Sequence, residues 1–376
     1  MRSESPQLDF VISNKARRWP DIERLDESHI RSHPHRFVGG RNSWIAQTYV
    51  RLRPTLEARG WRARVTDRFH PGSISIVHRD DANQYQSAAA ESFLVVVRAD
   101  RPPVRACDVA IVQNALAPSG KERFLPLWPQ PGLHGRDPRR GTGIQRLAYH
   151  GRTGSAPSWF SDRAFIADLR RRGVEFEVKT SGWEDYQFVD LAIAVRDDVP
   201  VRLRSKPATK LYNAWLAGVP MLASPEPAYK ELRRSPIDFL EVHDPRAVLE
   251  AIDLLRANPG LYSAMITNGR ARGREFDVDA VRERWLALLE REILPAYAAA
   301  RARLGRRQAW YVGAMARQKG LSRMHRIGAG LQRMANARWV PRGILADLGR
   351  ALAAPARERP RAFGETLEQT SVLRLR

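Results

Sequence analysis

Two lysines open the stretch of this chain best suited to chemistry, SKPATKLYNAWLAGVPMLASPEPAYKEL over residues 205–232. Lys206 and Lys210 are four positions apart, so on a helix they share one face. Pro207 suits a first helical turn, where its missing N–H is not needed. That puts a helix N-terminus at Lys206 and Pro207, where free amides and the positive end of the dipole favour an anion. Arg202 and Arg204 stand just upstream, and the set would suit a diphosphate. Asn213 and then Gly218 follow, the glycine allowing a tight turn. Glu231 comes thirteen residues past that glycine, a carboxylate able to accept two hydrogen bonds from a ribose diol. The plainer readings stay open beside these: a solvated basic helix end and an exposed helix glutamate.

The elements that would position these groups alternate between strand and helix. Short β-branched runs at 93–97 and 109–112 have the composition of a buried parallel sheet. Asp100 follows the first, Gln113 and Asn114 the second. Further strands are predicted at 10–13, 64–66 and 74–78, and a helix at 44–56 behind Gly39 and Gly40. Residues 124–143 are dominated by proline and glycine and read as a connection. A second α/β unit follows, with strands at 146–149, 174–178, 189–195, 219–223 and 239–242. Its helices are predicted at 161–172, 207–217, 245–257, 260–272 and 278–294. Such alternation argues for parallel sheets covered on both faces, with ligands at the carboxyl ends of the strands.

The segment NAWLAGVPMLAS, with Glu231 beyond it, resembles the donor-binding half of GT-B glycosyltransferases, whose corresponding motif is close to E-A-x-A-x-G-x-P-[VIM]-[VIL]-A-[ST] with a later Glu. The family's first Glu is Asn213 here. The Lys-Pro-x-x-Lys opening is similar to bacterial members of the family 1 and family 4 type that place lysines near the diphosphate. The NGRARGREFDVDAVRERWLALLE run also looks like these enzymes. The likeness is specific over residues 146–294 and loose over the first 125.

It implies an α/β fold of two Rossmann-like domains facing a cleft. An acceptor domain would span 1–125, a linker 126–145 and a nucleotide-sugar domain 146–296; the likeness does not cover the tail, where composition sets off a basic helical extension over 297–376 whose end is expected to be disordered. It implies donor binding by Arg152, Lys206, Lys210, Asn213, Gly218 and Glu231, and an approach of Gly40 to phosphate. Asp100 or Asp67 would be the general base, deprotonating an acceptor hydroxyl; loop capping is the plain alternative for each. The implied activity is a hexosyltransferase-like transfer of sugar from a nucleotide-sugar to a glycan or lipid-linked acceptor, for polysaccharide biosynthesis. The cations would stabilise the leaving diphosphate without metal or cofactor. Two rivals share the scaffold: a nucleotide-sugar epimerase or hydrolase, and a non-catalytic binding subunit.

Other candidates have simpler accounts. Asp277, Val278 and Asp279 match a D-x-D metal pattern but stand at a helix start, where Asp277 is an N-cap. His29, His33 and His35 read as loop histidines. His150 ends a strand beside Arg152 and is either structural or a hydrogen-bond partner for phosphate. The single Cys107 excludes an internal disulfide framework. The formal charge of +22 favours acidic partners. Residues 297–376 hold 17 Lys and Arg against four Asp and Glu, more than half of that charge.

In that tail Met324, Ile327, Leu331 and Met334 recur at helical spacing, flanked by Arg323, Arg326 and Arg333, with Trp310, Tyr311 and Trp339 nearby. Such a helix either packs on the first domain or lies on an anionic membrane through 297–350. No motif of stacked aromatics supports nucleic-acid binding. The first ten residues lack the apolar core of a signal peptide. The expected location is cytoplasmic, including the inner membrane surface.

Overall fold

A computed structural model of the chain describes residues 7–82, 86–115, 120–196 and 203–336, with side chains through 324 and at 327. The expected roles of Arg202, Arg326, Leu331, Arg333, Met334 and Trp339, and the expected disordered end, lie outside these limits.

The first sheet contains β1 (Gln7–Val11), β2 (Arg62–Thr66), β3 (Ile74–His78), β4 (Phe93–Ala99), β5 (Val109–Val112) and β6 (Glu122–Phe124). Their order is β2-β1-β3-β4-β5-β6, every neighbour parallel. The second contains β7 (Arg146–His150), β8 (Glu175–Lys179), β9 (Leu191–Ala194), β10 (Met221–Ala223) and β11 (Leu240–Glu241), in the order β11-β10-β9-β7-β8, again all parallel. Both follow the same doubly wound order. The strand order therefore reverses between β1 and β3 in one sheet and between β7 and β9 in the other, and ligand crevices open at such points. These are the two Rossmann-like domains read from the sequence.

The β-branched runs became strands because each face of the sheet is covered. Phe93, Val95 and Val97 of β4 face one core, and Leu94 and Val96 face another. Cys107 packs in the second of these, where burial pushes its thiol up to about 12. The edge strand β6 was not predicted. It lies where proline begins to dominate, and its ERF sequence has no apolar alternation. The helix expected from 207 begins at Thr209, with Ala208 as its cap, so Lys206 and Pro207 precede it. A turn closed by Lys206 N–H donating to Leu203 O (3.1 Å) takes the place of the predicted first helical turn.

The second domain ends earlier than the expected 296. Phe276 belongs to its core, while Val281, Trp285, Leu289, Ile293 and Tyr297 sit in the core of the first domain. The chain crosses back at Asp277, whose carboxylate caps the Val278–Leu288 helix by accepting from Ala280 N–H (2.8 Å). Asp279 pairs with Arg282. Periodicity marks which side of that helix is buried but not which domain buries it. Tyr311, Ala314 and Met315, at the start of the Gln308–Asn336 helix, pack on the other face of the first sheet. Residues 316–376 form a second unit, helical through Asn336, in which Ile327 is exposed. Among the described residues no helix is long and apolar enough to cross a membrane.

The returning helix gives a stability prediction. Trp285 is fully buried in the first domain's core. Trp285→Ala is expected to cost about 3–5 kcal/mol. Urea titration should show that loss, and hydrogen exchange should place it in β1 and β3 rather than in β9 and β10.

Candidate functional site

Three strands of the second sheet deliver charged or aromatic groups to their carboxyl ends. β7 ends with Tyr149, His150 and Gly151, β9 runs into Arg196, and β10 into Ser224 and Glu226. Lys210, from the first turn of the Thr209–Ala217 helix, reaches the same place. Its Nζ lies 3.7 Å from the centre of the Tyr149 ring, a cation–π arrangement. Gly151 makes room for it, since a Cβ there would stand 2.8 Å from Nζ and 2.9 Å from the ring. Arg196 and Glu226 form an ion pair, both nearly buried, and Ser224 Oγ donates to Glu226 (3.2 Å).

The electrostatics of this cluster are unbalanced. Among the described residues it brings together two cations, Arg196 and Lys210, and one carboxylate, Glu226. Burial holds the Lys210 amine well below its ordinary pKa, and Arg196 adds to that. Burial raises the Glu226 carboxyl, although Arg196 and Lys210 oppose it. Burial also acts against the charge of Arg196, but Tyr229 and Glu226 more than offset this and raise its pKa. Among the described residues, the hydroxyls of Tyr149 and Tyr229 are buried here without hydrogen-bond partners. A buried cation without an anion is costly, so the arrangement favours either a neutral Lys210 or a bound anion.

His150 sits against Tyr186, ring centres 4.2 Å apart, with Nδ1 3.0 Å from Trp183 O. That carbonyl only accepts, so Nδ1 carries the proton and Nε2 is a buried, unpartnered acceptor. Burial lowers its pKa to about 4.

The first domain meets this region through its own carboxyl ends. Lys206 Nζ lies 3.0 Å from Asp100 Oδ2. Gln113 Nε2 donates to Ser205 O and Asn114 Nδ2 to Lys206 O, each at 3.2 Å. Lys206 is also near enough to Lys210 to lower its pKa. Asp100 and Lys206, singled out separately in the sequence, are thus brought into contact across the cleft.

The other sequence candidates are placed as follows. Glu231 is exposed and lines a crevice between the domains with Gln113, Asn114, Tyr212 and Phe276. The carboxylate beside Lys210 is Glu226, five residues earlier. Asn213 is buried, its Oδ1 accepting from Gln130 N–H (3.1 Å) of the connection. Gly218 ends its helix in the left-handed region at φ 69°. Arg152 is exposed and lines an open depression with Thr153, Gly154, Ser155 and Thr180, at the ends of β7 and β8. Gly40 stands against the His78 ring, 3.5 Å from where a Cβ would be. Asp67, after the edge strand β2, is exposed beside Arg68 (3.6 Å). Of the three histidines, His29 completes a capping box with Asp26, and His33 meets Ser32 Oγ at 2.9 Å. Arg196, Glu226, Tyr149 and Tyr229 were not among the sequence candidates. The available signal was a charged residue within three positions of the end of each of two buried strands.

No family model matches the chain, and no curated protein matches it. It is similar to the solved structure of sucrose-phosphate synthase from Thermosynechococcus elongatus, at 12% identity and TM-score 0.45, over 77% of this chain and 100% of that one. It is also similar to Anabaena HepE solved with UDP, at 11% identity and TM-score 0.41, over 76% of this chain and 99% of that one. A third is the pneumococcal O-GlcNAc transferase GtfA with UDP and GlcNAc, at 12% identity and TM-score 0.38, over 66% of this chain and 60% of that one.

Two outcomes follow from the cluster. Lys210→Met, which replaces an unbalanced buried amine by an apolar side chain of similar length, is expected to stabilise the protein by about 1–3 kcal/mol at pH 7, read as a rise in melting temperature. His150 binds a proton in the unfolded chain near pH 6.5 but in the folded chain only near 4. The unfolded state therefore holds more protons between these values, and stability falls as pH drops through that window, by about 3 kcal/mol. His150→Phe should lose that component, measured by urea unfolding at a series of pH values.

Proposed function

We propose that this chain is a glycosyltransferase of the GT-B type that moves a sugar from a nucleotide-sugar to a hydroxyl on a glycan or lipid-linked acceptor. The observation that carries this reading is the excess positive charge, among the described residues, at the carboxyl ends of β7, β9 and β10, where Arg196 and Lys210 share one carboxylate. A diphosphate supplies the missing negative charge. Lys210 and Lys206 would hold it, and Lys210 would regain its proton as the anion arrives. As the glycosidic bond breaks, charge grows on the leaving diphosphate, and cations already fixed in place stabilise that growth without reorganising. Arg152 lies in an open depression beside the same strand end, accessible to a nucleotide. The acceptor would approach from the first domain, with Asp100 at the cleft as the base. A lipid-linked acceptor would bring the enzyme to a membrane surface, for which the arginine-rich segment 297–350 provides charge.

A second reading, a binding subunit without catalysis, is favoured by Asn213. Where the family motif has a glutamate, this chain has an amide whose oxygen is committed to the Gln130 N–H. The two readings separate on turnover, because the subunit would bind a nucleotide and release no product with any acceptor.

Thermal melting with a panel of nucleoside diphosphates and their sugars tests the site. The correct ligand at about 100 times its Kd should stabilise the protein by about 2.7 kcal/mol. Lys210→Met should lose that gain while remaining folded. A panel in which no diphosphate raises the melting temperature rules the proposal out.

A further inference from the structure

Lys206 is paired with Asp100 of the opposite domain at 3.0 Å, the two side chains 21% and 38% exposed. Resting on the reading of this cleft as a donor site, we propose that Asp100 is a latch, holding Lys206 until the donor's diphosphate takes that lysine and thereby frees the carboxylate at the cleft.

Several features point the same way. Asp100 is aimed by its backbone. The register of β4 on β5 shifts between Val97 and Ala99, and Ala99 stands in the left-handed region at φ 52°. A bulge of this kind re-aims the side chain that follows it, and a strained residue beside a candidate site is a pointer to function. The charge on Asp100 also depends on its partner. Burial works against it, and Lys206, by Coulombic attraction and then by hydrogen bonding, brings the carboxyl below its ordinary range.

The contacts around the pair have a different character. Gln113 and Asn114 hold the backbone carbonyls of Ser205 and Lys206. Those bonds use no group that a ligand needs and persist when the lysine turns away. Only the ion pair uses a cation suited to phosphate. Carboxylate and phosphate compete for an ammonium group by the same charge-assisted hydrogen bonds, and a pair this exposed is weak enough to exchange.

Competition predicts an effect opposite in sign to ordinary loss of a site residue. Binding of inorganic pyrophosphate, by calorimetry on the full chain, is the direct probe, because it needs no knowledge of base or sugar. Asp100→Asn and Asp100→Ala should each bind it about two- to fivefold tighter than the parent. Lys206→Met should bind more weakly, and adding Asp100→Asn to it should change nothing further. Asp100 variants that bind equally or more weakly than the parent overturn the latch, as does an equal gain in the Lys206→Met background. Absence of pyrophosphate binding in the parent and both Asp100 variants also overturns it. If the variants behave as expected but no nucleotide-sugar is turned over, the latch stands and the transferase reading falls.

Discussion

A buried cluster in which, among the described residues, two cations meet one carboxylate organises the second domain. Arg196 and Lys210 converge on one carboxylate because the doubly wound topology brings the ends of β9 and β10 and the start of the Thr209–Ala217 helix to one point. Buried charge in excess of its partners opposes folding. The domain tolerates it through the Tyr149 ring beneath the amine, the missing side chain at Gly151, and the shift of Lys210 toward its neutral form. An anion bound there, as proposed, would remove a cost that the free protein already bears.

Much of this architecture was readable in the chain. Strands buried on both faces must be apolar throughout, so runs such as FLVVV and VAIV declare themselves. The tight turn at Gly218 needs a positive φ that glycine adopts freely. The failures have physical causes. β6 is held in place by pairing with β5, a tertiary contact that its own three residues do not encode. The Val278–Leu288 helix shows its apolar stripe, but the same stripe would suit either domain.

The choice between carboxylates has a similar cause. Glu226 and Glu231 follow the same glycine, and spacing does not say which faces the lysine. Glu226 precedes Pro227 in extended backbone and turns into the domain. Glu231, on the exposed side of the Pro227–Leu232 helix, turns away from it. The two lysines were expected on one helix face, but Lys206 lies before the helix rather than on it, which is what lets it reach Asp100.

The Thr209–Ala217 helix ties the candidate site to the way the domains are joined. The chain crosses between domains after Trp128 and again at Asp277, and Tyr212 touches both crossings. Its hydroxyl donates to Leu127 O (2.8 Å), and its ring stacks on Phe276 at 4.9 Å, nearly parallel. Asn213, next in line, receives the Gln130 N–H of the first crossing. At a position this buried a glutamate would bring an unpaired charge, whereas an amide oxygen accepts the bond without one. Lys210 stands one turn earlier on the same short helix. Any rotation of the domains about their crossings bears on the helix that carries Lys210, and any displacement of that lysine is carried to the crossings. The asparagine at this position thus binds the first crossing between the domains, a role that holds under either proposed function.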